Sequence, residues 1–188
     1  MNRASWSRVK ITKRALFDEL VKVFPRYEYS TLQMCSATDD KICEYFINKL
    51  SEAKRKAFHL LQNSYELHYE DLVPKFDHLR LDIDIFSDEI KMRYTNFKKI
   101  TEEFMEELMQ HDLEIVRSLD VFLLQLDDTH DKLIATYKPI DVKELRRSLA
   151  NIVILFKERE LITNLKHVSL KRTYNRMRVE IKEKIGVD

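Results

Sequence analysis

Glycine is almost missing from this chain: one occurs in 188 residues, Gly186, beside three prolines, Pro25, Pro74 and Pro139. Sheet proteins need such residues for tight turns and strand boundaries, so their scarcity excludes an all-β fold. It also excludes nucleotide sites in which a bare glycine backbone wraps a phosphate. Long apolar runs are missing as well. The longest are Val121 to Leu124 and Ile152 to Phe156, far short of the roughly 20 residues a bilayer-crossing helix requires. Residues 1–13 are basic and polar, with no apolar stretch of the kind a secretory signal carries. Cys35 and Cys43 lie eight apart on what is expected to be one helix, an awkward geometry for a disulfide. They are expected to be free thiols of a cytosolic or nuclear protein.

What is abundant points to long helices. Hydrophobic residues make up 44% and charged residues 35% of the chain, a Leu-, Glu- and Lys-rich mixture. Ten Phe and eight Tyr supply apolar surface to bury, which disfavours disorder. The charge is unevenly spread although it sums to +1. Residues 1–27 hold seven basic and two acidic side chains, residues 28–140 hold fourteen and twenty-three, and residues 141–188 hold twelve and seven. Two basic ends therefore flank an acidic middle.

The prolines divide the chain into four helical segments of one domain spanning residues 1–188. The first, a basic amphipathic helix over 1–24, sets Val9, Leu16, Leu20 and Val23 on one face and stops at Pro25. A second is expected over 38–73, with Thr38 as cap and Asp39 and Asp40 as first-turn carboxylates. Within it Phe46, Ala53, Leu60 and Leu67 recur every seven residues, and Leu50, Ala57 and Ser64 alternate with them, as in a coiled-coil seam. A third spans 75–137, where a heptad phase through Leu79, Ile83, Phe86, Ile90, Phe97, Ile100 and Phe104 gives way to eleven-residue steps. It must straighten or break there, and Asp127, Asp128 and Thr129 offer a restart cap. The fourth, over 141–185, is capped by Asp141 and carries Leu145, Leu149, Ile152, Phe156, Leu165, Met177 and Ile181. Unbroken, the last three would measure about 54, 95 and 68 Å, so they would overlap in a three-helix middle. Hairpins pivoting on Pro139 and Pro74 would set Leu124 against Ile154 and Phe58 against Ile90. The expected fold is all-α, an elongated antiparallel helical bundle or coiled coil of about four helices. A small two-stranded patch, residues 8–12 against 178–182, is a minor alternative that lacks a third strand.

Chemistry-bearing constellations fail one by one. Asp127 to His130 is a single loose match to the Glu-x-x-His pairs of a di-iron bundle, and Glu107 to His111 has the wrong spacing. The run Asp82, Asp84, Asp88, Glu89 fails as a calcium loop because Ser87 and Arg93 stand where glycine and glutamate belong. No nucleophile elbow occurs. No enzyme, metal or cofactor is expected.

What remains is surface. Lys171, Arg172, Arg176, Arg178 and Lys182, with Tyr174, form a basic stripe near the end of the chain. Its possible uses are nucleic acid, anionic lipid or an acidic protein face, and its nearest intramolecular partners are Glu102, Glu103, Glu106 and Glu107. Arg8, Lys10, Lys13 and Arg14, with Trp6, make a second basic face that would either rest on a membrane or dock on the bundle through Leu16 and Leu20. The leading expectation is a scaffold or adaptor that binds a helical partner or itself. Membrane binding is the alternative, and nucleic-acid binding is weaker.

Overall fold

A computed structural model describes residues 13–28, 32–93, 102–135, 139–163 and 179–180, and they form helices and connections with no strand among them. Five helices follow in order: α1 (Lys13–Val23), α2 (Leu32–Glu66), α3 (Val73–Met92), α4 (Glu102–Ala135) and α5 (Val142–Thr163). Val179 and Glu180 are helical; the rest of the suggested two-stranded patch lies outside the described residues.

Ion pairs fix the directions of the packed helices. Lys49 meets Asp120 and Lys56 meets Asp127, a constant offset of seventy-one residues, so α2 and α4 run parallel. Lys54 pairs with Asp84 and Arg93 with Asp39, one number rising as the other falls, so α2 and α3 run antiparallel. Asp82 to Arg146 and Glu89 to Lys157 set α3 parallel to α5. The α2–α3 and α4–α5 turns therefore share one end of the bundle, here the hairpin end. The start of α2, the end of α3, the start of α4 and the end of α5 share the other, the charged end. α1 packs on α4 by burying Leu16 and Leu20, the docking face expected from their spacing.

The coiled-coil pattern of the second segment is the inner line of α2. Phe46, Leu50, Ala53, Ala57, Leu60 and Ser64 are all buried, and the two alanines leave room for close helix approach. Leu67 is exposed, because α2 has already ended. The line is met by Phe76, Leu79, Ile83, Phe86 and Ile90 of α3, by Leu108, Ile115, Leu119 and Leu126 of α4, and by Leu145, Leu149, Ile152 and Phe156 of α5. Phe156 stacks edge-on against both Phe46 and Phe86, at 5.7 and 5.6 Å between ring centroids.

Several boundaries differ from the sequence expectation. The 75–137 segment is two helices: α3 ends at Met92, Arg93 is extended, and α4 begins at Glu102 heading the opposite way. Helix α4 then runs unbroken past Asp127, and Thr129 bonds the Gln125 carbonyl rather than capping anything. α2 begins at Leu32, so Thr38 lies inside it. Pro74 opens α3 instead of closing α2, since the first helical turn has no use for its missing N–H. The actual turn centres on His68, in left-handed backbone at φ 60°, where a helix would ordinarily place glycine. The bonds from Tyr69 N to Ser64 O and from His68 N to Tyr65 O close it. With the pivot before Pro74, Phe58 does not meet Ile90 and stays exposed; Leu124 is likewise exposed while Ile154 is buried. The Asp141 cap stands: its carboxylate accepts from Lys143 N at 3.0 Å. Among the described residues no helix is long and apolar enough to cross a membrane.

Candidate functional site

The charged end encloses the most unusual chemistry of the molecule. Three acids and bases occupy positions where the helical spacing calls for apolar side chains. On α5, Ile152, Phe156, Arg159 and Thr163 form one inward line; on α4, Leu108, Asp112, Ile115 and Leu119 form another. Asp39 precedes Ile42 and Phe46 on the inner face of α2. Each sits inside because its partners do.

Arg159 is fully buried and joins two helices: Nη1 donates to Asp39 Oδ1 at 2.6 Å, and Nε donates to Asp112 Oδ1. The second oxygen of Asp39 accepts from Arg93 Nη2 at the end of α3, and the Arg93 guanidinium also lies 5.8 Å over the Phe156 ring. The second oxygen of Asp112 accepts from the Tyr27 hydroxyl at 2.6 Å. One residue along α2, Thr38 Oγ1 donates to Glu28 O at 2.7 Å and accepts from Glu28 N. Two arginines and two aspartates thus neutralise each other while tying α2, α3, α4, α5 and the segment after α1 into one network. Asp39 and Thr38 are therefore not the cap and solvent-facing carboxylate expected of them. Beside the network, His111 Nδ1 lies 4.0 Å from Glu158 Oε2.

The arrangement is poor in reactivity. Both carboxylates are held by guanidinium groups, and such pairing keeps them as stable anions with no freedom to shuttle protons. Burial pushes the Cys43 thiol up to about 12, against a lowering effect of Arg159, and Asp112, Asp40 and Glu160 push the same way as burial. Cys35 is raised by burial too. Neither is a thiolate nucleophile at neutral pH. Both are free.

An open cleft of about 450 Å³ touches the outside of the network, lined by Ile85, Asp88, Glu89, Met92, Arg93, Lys157 and Glu160. Burial acts to lower Lys157, but Glu160 and Glu89, 3.3 and 3.2 Å away, outweigh it and raise the pKa, so the amine stays protonated. The cleft offers charged and apolar contacts without an activated base.

Among the described residues no group of three His, Cys, Asp or Glu side chains could hold a metal ion. Asp82, Asp84, Asp88 and Glu89 are spread round α3 and pair with Arg146, Lys54, Lys91 and Lys157. His130 sits beside Asp131. Of the two basic faces, Lys171, Arg172, Arg176, Arg178 and Lys182 lie outside the described residues, as do Arg8 and Lys10. Lys13 and Arg14 are exposed on α1.

The apolar residues left outside are the other candidate feature. Leu81, Ile85 and Met92 follow one another on α3 at steps of four and seven, hence on one face, and are 41%, 56% and 85% exposed. That face lies between the Lys54 pair to α2 and the Arg146 and Lys157 pairs to α5, so no helix of the bundle covers it. No family model, curated protein or solved structure matches this chain.

Proposed function

We propose that this protein is a non-enzymatic interaction module, a scaffold or adaptor built as an elongated bundle with coiled-coil-like seams. It associates with a second copy of itself or another helical chain in a reducing, cytoplasmic setting. The observation that carries this reading is the uncovered stripe Leu81, Ile85 and Met92. Met92 in particular exposes nearly its whole side chain, and an apolar row of that kind is most stable when another surface covers it. The paired rows flanking it supply a polar rim, as protein interfaces have. The fully neutralised network at the charged end supports the same reading, because it fixes the helices without offering a reactive group.

Light scattering on the full chain at tens of micromolar tests this. The expected result is a mass above that of the monomer, returning to the 22.7 kDa monomer in the double variant Ile85→Lys/Met92→Lys. A compact monomer at that concentration would count heavily against the reading.

A further inference from the structure

Helix α4 carries a second uncovered apolar pair, Val121 and Leu124, 53% and 66% exposed. They lie on the outer face that begins with Glu114 and Arg117 and continues to Asp128, all at steps of three, four or seven. This face already has an occupant for part of its length. α1 lies on it antiparallel to α4: Tyr27 reaches Asp112, and Glu19, eight residues earlier, reaches Arg117, five residues further on. At that rate the start of α1, Lys13, stands near residue 121, and whatever precedes Lys13 is directed over Val121 and Leu124.

We propose that residues 1–12 of this chain are the occupant: they continue α1 along α4 and lay Val9 and Trp6 across Val121 and Leu124, an intramolecular strap. Three features of the chain fit that course. Val9 stands seven and eleven residues before Leu16 and Leu20, the two α1 residues buried against the bundle, so it belongs to their face. Trp6, three residues earlier, flanks it with the largest apolar side chain available. Charge agrees as well: residues 1–14 carry Arg3, Arg8, Lys10, Lys13 and Arg14 and no acid, whereas residues 114–131 of α4 carry five carboxylates against Arg117. Lys49 and Lys56 take two of those five, Asp120 and Asp127, which leaves Glu114, Asp128 and Asp131 along the strap's path. The inference is independent of the α3 stripe, which lies on another helix.

Trp6 is the only tryptophan of the chain, so its fluorescence reads the strap alone. In the full-length protein its emission is expected at shorter wavelength than in urea, with acrylamide quenching several-fold weaker. Both properties should be unchanged on dilution and in the Ile85→Lys/Met92→Lys variant. The substitutions Val121→Glu and Leu124→Glu fall on exposed positions and should leave the helical circular dichroism intact, yet move emission and quenching to the values of the unfolded chain. Arg8→Glu with Lys10→Glu should do the same in part. Native emission already like that in urea would overturn the strap. So would burial of Trp6 that is lost on dilution, which assigns the face to a second copy, or burial indifferent to Val121→Glu/Leu124→Glu.

Discussion

The two ends of the bundle are closed by different physics. At the hairpin end Leu60, Phe76, Leu126, Leu133 and Leu145 meet in an apolar core, while the chain itself links α2 to α3 and α4 to α5. At the charged end four helix termini and the return from α1 converge, and they are fastened by Arg159, Arg93, Asp39, Asp112 and Tyr27. Apolar packing is graded and forgiving, losing stability in proportion to the cavity made. A buried ion network is directional: it specifies which helices meet and in what register, and it fails abruptly when one member is removed. The contrast suggests that apolar seams alone would leave parallel and antiparallel pairings of such similar helices close in energy, and that the network selects among them.

The largest effect expected from that contrast is at Arg159. Arg159→Met strands Asp112 without a counter-charge and should cost about 3–5 kcal/mol in urea unfolding. Replacing Asp39, Arg93, Asp112 and Arg159 together by apolar residues of similar volume, with Tyr27→Phe, should return stability to within about 2 kcal/mol of the parent. A full set as damaging as the single change would break the contrast.

Next comes the hairpin end, where Leu60→Ala should cost about 2–5 kcal/mol. The loss should shrink if a neighbouring residue is enlarged to fill the cavity, a rescue unavailable to Arg159→Met.

Alkali should weaken the charged end first. The Cys43 pKa rises from the ordinary 9.0 to about 12 on folding, so the native state holds that proton more tightly than the unfolded chain. Its contribution is complete below pH 9 and is lost as pH rises towards 12. Lys157, buried but more strongly held by Glu160 and Glu89, and Lys49, bonded to Asp120, are also raised above 10.5 and act in the same direction. Chemical denaturation at a series of pH values should show a decline beginning near pH 9, and Cys43→Ala should flatten its early part. A decline unaffected by Cys43→Ala would remove the thiol from this account.

The smallest effect belongs to the outer pairs between α2 and α4. Asp127 is about half exposed, and Asp127→Asn should cost less than about 1 kcal/mol and less still in high salt.

What the sequence made legible is the periodic part. Phe46 through Ser64 on α2 and Leu108, Ile115, Leu119 and Leu126 on α4 announce their faces because every helical turn repeats the same choice. The reversal between α3 and α4 carries no such mark: no proline or glycine lies from Lys75 to Tyr137, and the change of phase after Ile90 admits a straightened helix as readily as a break. Asp39 was misleading for a local reason, since Thr-Asp-Asp is also how a capped helix begins. Its true partner is 120 residues away, a pairing that no local pattern contains. A signal was nevertheless present in Arg159 and Asp112, charges standing on the apolar lines of α5 and α4. A charge in a seam position is the sequence-level trace of a buried partner of opposite sign.

Hydrogen exchange measured at low and at high protein concentration tests the interaction surface most directly. The account predicts that amides of α3 from Leu79 to Arg93 gain protection as concentration rises, while those of α4 from Glu114 to Asp131 do not change. Exchange independent of concentration, or protection that arises on α4 and spares α3, would contradict it.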